Sequence, residues 1–131
     1  MTLKIKFRVL LTQCSEPVEN GELIIEDGDI LEISPQVSKV STENTLDLSD
    51  HLLMPGFVNA HSHLSLTALE NKLSPSKNFA SWIRDLIVLN SALKGEEKVW
   101  GIQKGASEMK SSGVTGLADY VADSALLDSI G

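Results

Sequence analysis

The chain has 131 residues, of which eleven are basic and eighteen acidic, for a formal net charge of −7. That balance excludes broad nucleic-acid binding, which needs clustered positive charge, and no stretch of about 18 apolar residues offers a membrane span. With 42% hydrophobic and 22% charged residues it reads as a folded protein, and one cysteine, Cys14, leaves no disulfide within the chain, so the expected compartment is the cytoplasm.

From Leu3 to Leu11, apolar Leu3, Ile5, Phe7, Val9 and Leu11 alternate with charged Lys4, Lys6 and Arg8. Strict alternation predicts a half-buried antiparallel strand with its charges toward solvent. A second strand, Gly21 to Glu26, and a third, Asp29 to Ser34, are joined by the tight-turn pair Asp27-Gly28. Residues 35–44 are polar and predict a loop, and Thr45 to Leu48 a short strand ending before Ser49-Asp50. Residues 1–52 are therefore expected to form a small β domain, a partial sandwich.

After Pro55-Gly56 the run Phe57-Val58-Asn59-Ala60-His61-Ser62-His63-Leu64 carries few charges, as expected of a parallel strand covered on both sides. Side chains two apart on a strand share a face. Phe57, Asn59, His61 and His63 are thus expected to look into a barrel near its mouth, with Val58, Ala60, Ser62 and Leu64 packed under helices. His61 and His63 can then converge on one metal ion.

Beyond a connection at 74–78, Phe79, Trp82, Ile83, Leu86, Ile87 and Leu93 keep helical spacing, with Gly95 expected to end the helix. Glu96 and Glu97 open a second helix with the stripe Val99, Ile102, Ala106 and Met109, closed by Ser112-Gly113. Val114 to Tyr120 reads as the next strand, and 124–130 as a further helix. Strand, helices, strand is a βαβ unit. The fold class is α/β: residues 53–131 are expected to be the first βα units of a (β/α)8 barrel. Such a barrel takes about 250 residues, so the expectation is the N-terminal portion of a larger enzyme.

The segment Met54-Pro55-Gly56-Phe57-Val58-Asn59-Ala60-His61-Ser62-His63-Leu64 resembles the amidohydrolase superfamily signature, in which a Pro-Gly turn precedes a His-x-His at the end of the first barrel strand. The β domain before it, and Ser112-Gly113-Val114-Thr115 leading to Ala118-Asp119-Tyr120 after it, resemble the cytosine deaminase, chlorohydrolase and S-adenosylhomocysteine deaminase branch. Within that branch, Leu64-Ser65-Leu66, Phe79 and Trp82-Ile83-Arg84 look most like the aminodeoxyfutalosine deaminase group.

The resemblance implies that His61 and His63 bind one divalent metal ion, zinc or iron. It also implies that the remaining ligands, two histidines and an aspartate from later barrel strands, lie beyond Gly131. The metal would activate water for attack on an electron-poor carbon, with ammonia or another group leaving. A catalytic zinc generally needs three protein ligands, and the chain's third histidine, His51, lies about 30 Å away along an extended strand. His51 reads instead as a solvated turn residue. Asn59, Glu70, Trp82 and Asp119 are candidates for contacting substrate or supporting the metal. For each there is a plainer reading: a strand polar group, a solvated charge, helix core, and a hydrogen-bonding turn residue.

The expected function is metal-dependent hydrolysis, as an aminohydrolase of a nucleoside-like or heterocyclic small molecule, with chlorohydrolysis or cyclic-amide hydrolysis as alternatives. A different class of reading is a non-catalytic remnant or split-barrel subunit that associates with a complementing chain. Expected partners are a small-molecule substrate and either a second copy or a complementing barrel fragment, with no nucleic acid or membrane.

Overall fold

The alternating N-terminal segment does fold as a strand, and its turn chemistry sets the first layer. The computed structural model describes residues 1–38, 44–75, 78–121 and 126, whose contacts divide into two compact units, Met1–Pro55 and Gly56–Gly131. In the first unit, β1 (Thr2–Leu10), β2 (Val18–Glu26), β3 (Asp29–Ser34) and β4 (Thr45–Leu53) form one sheet in the order β3-β2-β1-β4. The described strands thus make a single layer, not two facing ones. β1, β2 and β3 pair antiparallel, and β4 runs parallel to β1. Asp27 and Gly28 both take positive φ, 51° and 96°, as the tight hairpin between β2 and β3 requires.

Two details depart from the alternation. β4 does not stop at Leu48: Phe7 pairs with Leu48 and Val9 with Leu52, so Ser49, Asp50 and His51 bulge opposite Arg8. The polar residues are absorbed without ending the strand, and the strand therefore runs past residue 52 to Leu53. Lys4, expected in solvent, is only 4% exposed, as is Glu22. Their charges meet at 3.4 Å, while Phe7, Leu10 and Leu23 form the apolar core of this unit.

In the second unit β5 (Phe57–Ser62) and β6 (Val114–Asp119) pair in parallel, from Phe57 opposite Val114 to Ser62 opposite Asp119. Between them lie a 3₁₀ segment, Leu64–Leu69, and helices α1 (Phe79–Ala92) and α2 (Gly95–Ser111). The expected stripe of α2 is in place: Ile102 is buried with Leu64 and Leu126, and Val99, Ala106 and Met109 pack against them. Gly95 begins α2 and does not end α1. Leu93 is extended, and the Glu97 carboxylate accepts from the Lys94 amide at 3.0 Å, so the next helix starts at once. The helix expected at 124–130 lies outside the described residues, apart from Leu126.

The unforeseen element is the 3₁₀ segment, on which α2 chiefly packs. A Cβ on Gly101 would sit 2.7 Å from the Ser65 carbonyl oxygen and 2.9 Å from the Ala68 nitrogen; one on Gly105 would sit 2.7 Å from Thr67 Oγ1. Two side-chain-free positions four apart let the segment lie directly on the helix. The face of β5 expected under helices is only partly covered. Ser62 and Leu64 are buried, but Val58 is 75% exposed and Ala60 is exposed. No helix among the described residues is long and apolar enough to cross a membrane.

Two outcomes follow from this packing. Gly101→Ala should lower stability by about 1–3 kcal/mol through overpacking against backbone, read as a lower urea midpoint; an unchanged midpoint would refute the close approach. The second concerns pH. Burial pushes the Glu22 carboxyl up, but hydrogen bonds from the Ser38 amide and hydroxyl and from Lys4, with the Lys4 charge, outweigh it and hold the group below its ordinary 4.5. A depressed carboxyl contributes stability that is present above its unfolded value and lost as pH falls through its folded one. Melting temperature should therefore drop as pH is lowered below about 4.5, and Glu22→Gln should flatten that part of the profile.

Candidate functional site

The C-terminal ends of two adjacent parallel strands, where loops are free to vary around a fixed frame, are the natural place for chemistry in α/β folds. Here β5 ends at Ser62 and β6 at Asp119, paired with each other. His61 is the penultimate residue of β5, and His63 sits just past its end with φ −138° and ψ 69°. Both imidazoles are exposed, and their Nε2 atoms lie 3.1 Å apart, with rings edge-to-face at 71°.

Two donor protons cannot face each other at that distance, so at least one Nε2 presents a lone pair. Nitrogens each bonded to one tetrahedral zinc at about 2.0–2.1 Å would be about 3.3 Å apart. The observed spacing thus fits two ligand positions on one ion. It fits no more than two: among the described residues no group of three or more His, Cys, Asp or Glu side chains could hold a metal.

The neighbours of the pair are fixed by hydrogen bonds. Ser62, between the histidines and 7% exposed, has its hydroxyl 2.8 Å from Asp119 Oδ1 and 3.1 Å from the Ala118 carbonyl oxygen. One hydroxyl proton serves one acceptor at a time, and the shorter, charge-assisted contact is favoured. The same Oδ1 accepts from the Leu64 amide at 2.9 Å. The Tyr120 amide donates to the Ser62 carbonyl at 3.0 Å, and its ring meets His63 edge-on at 5.5 Å.

The other sequence candidates are distributed differently. Asn59 does not point at the imidazoles: its Nδ2 lies 3.4 Å from Met109 Sδ of α2, and its Oδ1 accepts from the His61 amide at 3.1 Å. Asp119 hydrogen-bonds the backbone and Ser62, matching the turn reading. Glu70 closes the 3₁₀ segment in an ion pair with Lys104. The hydrogen bond to Glu70 outweighs the opposing effect of burial and, with the charges of Glu70 and Glu108, holds the Lys104 ammonium above its ordinary value. Trp82 is half-buried and stacks on Phe79 at 5.9 Å; it is not helix core, since α1 buries none of its residues. His51 lies in the other unit beside Asp50.

Two clefts flank the 3₁₀ segment. The larger, about 410 Å³, is lined by Glu70, Lys72, Glu97 and Trp100, and its Lys72 and Glu97 neutralise each other at 3.4 Å. The smaller, about 310 Å³, is lined by both histidines, Asn59, Thr67 and Met109. Volume favours the first, but the second is lined by two adjacent imidazole nitrogens, a donor set suited to a metal ion, and chemistry favours it. Sequence reasoning overlooked Ser62 and Tyr120 as its supports. Their signal was positional: parallel pairing puts the end of β6 level with the residue between the histidines.

Residues 52–130 match the amidohydrolase family model. A 5′-deoxyadenosine deaminase of Methanobrevibacter smithii is 31% identical over 119 residues, which cover 90% of this chain and 27% of that protein. A 5-methylthioadenosine/S-adenosylhomocysteine deaminase of Pyrococcus furiosus is 32% identical over 103 residues, 78% of this chain and 24% of that one. The chain therefore spans about a quarter of the length of these curated relatives. Among solved structures, a zinc-bound adenosine deaminase from Xanthomonas campestris superposes with a TM-score of 0.84 at 20% identity, over 98% of this chain and 30% of the other. A zinc complex of atrazine chlorohydrolase from Arthrobacter aurescens gives 0.78 at 19%, over 98% and 32%. The match across residues 52–130, histidine pair included, places the sequence: this chain belongs to the amidohydrolase family.

Proposed function

We propose that this chain is the histidine-pair portion of a metal-dependent aminohydrolase acting on an adenine-nucleoside-like amine. The carrying observation is the 3.1 Å approach of His61 and His63 Nε2 at the end of a parallel strand in a chain of this family. The curated relatives supply the substrate class, since the two described above are deaminases of adenine nucleosides. In this reading residues 56–131 contribute the opening strands of a (β/α)8 barrel.

Within the reaction, His61 and His63 would hold one divalent ion, zinc or iron, through their Nε2 atoms. An ion held there would supply a water of lowered pKa for attack on the electron-poor ring carbon. Water adds to the carbon bearing the amino group, the C–N bond breaks, ammonia leaves and a carbonyl remains. This chain's part is to hold the pair at fixed spacing and leave one side of the cleft open. Asn59 assists by tying the His61 amide, and Tyr120 by bracing the His63 ring. Glu70 and Trp82 take no part in this reading.

A second reading has an observation of its own. The β5–β6 sheet leaves Phe57 54% and Val58 75% exposed, whereas parallel strands are normally covered on both faces. The cover is further barrel strands and helices of the same polypeptide in the first reading, and a complementing chain in the second.

The protein expressed from its complete reading frame should carry about one equivalent of zinc or iron, by the one-ion reading of the pair. It should release ammonia from 5′-deoxyadenosine, methylthioadenosine or S-adenosylhomocysteine, with aminodeoxyfutalosine, guanine, cytosine and a chlorotriazine as comparison substrates. His61→Ala should lose the metal and reduce kcat/KM about a thousandfold or more, the several kcal/mol such an ion supplies. Full activity in His61→Ala would refute the site. Chloride release without ammonia release would refute the deaminase reading. Activity only after adding a second polypeptide would favour the complementing chain.

A further inference from the structure

The histidine pair is exposed and belongs partly to a strand and partly to the residue after it, so something must fix its spacing. His63 occupies the N-cap position of the 3₁₀ segment but makes no side-chain capping bond. The first amides of a helical segment need an acceptor, and the usual acceptor is the capping side chain itself. Here the Leu64 amide is satisfied from across the sheet, by Asp119 Oδ1 at 2.9 Å. The same oxygen takes the Ser62 hydroxyl at 2.8 Å, and Ser62 is 7% exposed, so this polar contact is sheltered from water.

One carboxylate oxygen thus grips the chain on both sides of His63. Resting on the metal reading of His61 and His63 above, we propose that Asp119 is a positioning residue: it caps the 3₁₀ segment in place of His63 and fixes residues 62–64. His63 then keeps its imidazole for the partner nitrogen of His61. An aspartate that bound the ion directly would be grouped with the histidines; the described geometry turns its bonded oxygen to Ser62 and Leu64 instead. Ser62 gains a role by the same logic, as the side chain that ties the middle of His-x-His to β6.

The test uses the protein expressed from its complete reading frame, with zinc alone as the probe. Zinc retention is measured by competition with a chromophoric chelator, and the visible spectrum of the cobalt-substituted form reports ligand geometry. Asp119→Ala should weaken retention about 10–100-fold, the loss typical of groups that orient metal ligands, and alter the cobalt spectrum. Asp119→Asn, whose amide oxygen can accept both bonds, should stay within about threefold of the parent, on a scale set by the same effect. Ser62→Ala should fall between them, and it carries the test should Asp119→Ala fail to fold.

Unchanged retention and spectrum in Ser62→Ala and Asp119→Ala, with only the metal-free melting temperature lowered, would overturn the positioning role and leave the metal reading standing. Asp119→Asn as defective as Asp119→Ala would also overturn it, because charge or direct ligation would then matter more than geometry. Full retention in His61→Ala would overturn the metal reading itself, and the positioning role with it.

Discussion

A single carboxylate oxygen, Asp119 Oδ1, receives both the Ser62 hydroxyl and the Leu64 amide, at 2.8 and 2.9 Å. Around that contact the second unit is arranged. It ends β5 and β6 at the same level, starts the 3₁₀ segment and holds the histidine between the two donors. The 3₁₀ segment in turn lies on α2 across Gly101 and Gly105, where any side chain would strike its backbone or Thr67.

The chemistry follows from the spacing that this arrangement sets. In the proposed reading, two exposed imidazoles with nitrogens 3.1 Å apart would supply adjacent positions around one ion, the others coming from residues elsewhere. That division of labour suits a barrel, in which catalytic groups come from the ends of several different strands. Membership of the amidohydrolase family and the deaminase relatives give the proposed reaction its substrate class. The fold likeness at about 20% identity covers deaminase and chlorohydrolase alike, so it does not choose between leaving groups.

Much of this was legible in the sequence, and the misses have physical causes. Periodicity and turn residues found β1, the β2–β3 hairpin, α2 and β6: Phe7 and Leu23 are buried in the core of the first unit, and Ile102 in that of the second. It ended β4 too early, since a bulge hides Ser49, Asp50 and His51 from the alternation rule. It sent Lys4 to solvent, because a pattern of single residues does not show that Glu22 waits on the neighbouring strand. Gly95 was read as a stop, although the bond from the Lys94 amide to the Glu97 carboxylate opens α2 there. The histidine pair was legible from spacing alone. Asp119 was singled out as a turn residue, but its tie to Ser62 was not legible, because the two lie 57 residues apart in sequence and become neighbours only through parallel pairing. Asn59 was placed on the imidazole face by parity, but its amide turns to Met109 where the strand's register shifts.

The central claim is that His61 and His63 bind one ion in a geometry held by Asp119. Anomalous diffraction at the zinc and iron edges, on crystals of the protein from its complete reading frame, tests it most directly. The account predicts one peak about 2.0–2.2 Å from both Nε2 atoms, with Asp119 still bonded to Ser62 and Leu64. A peak away from the pair, or none in protein that is fully active, would contradict it.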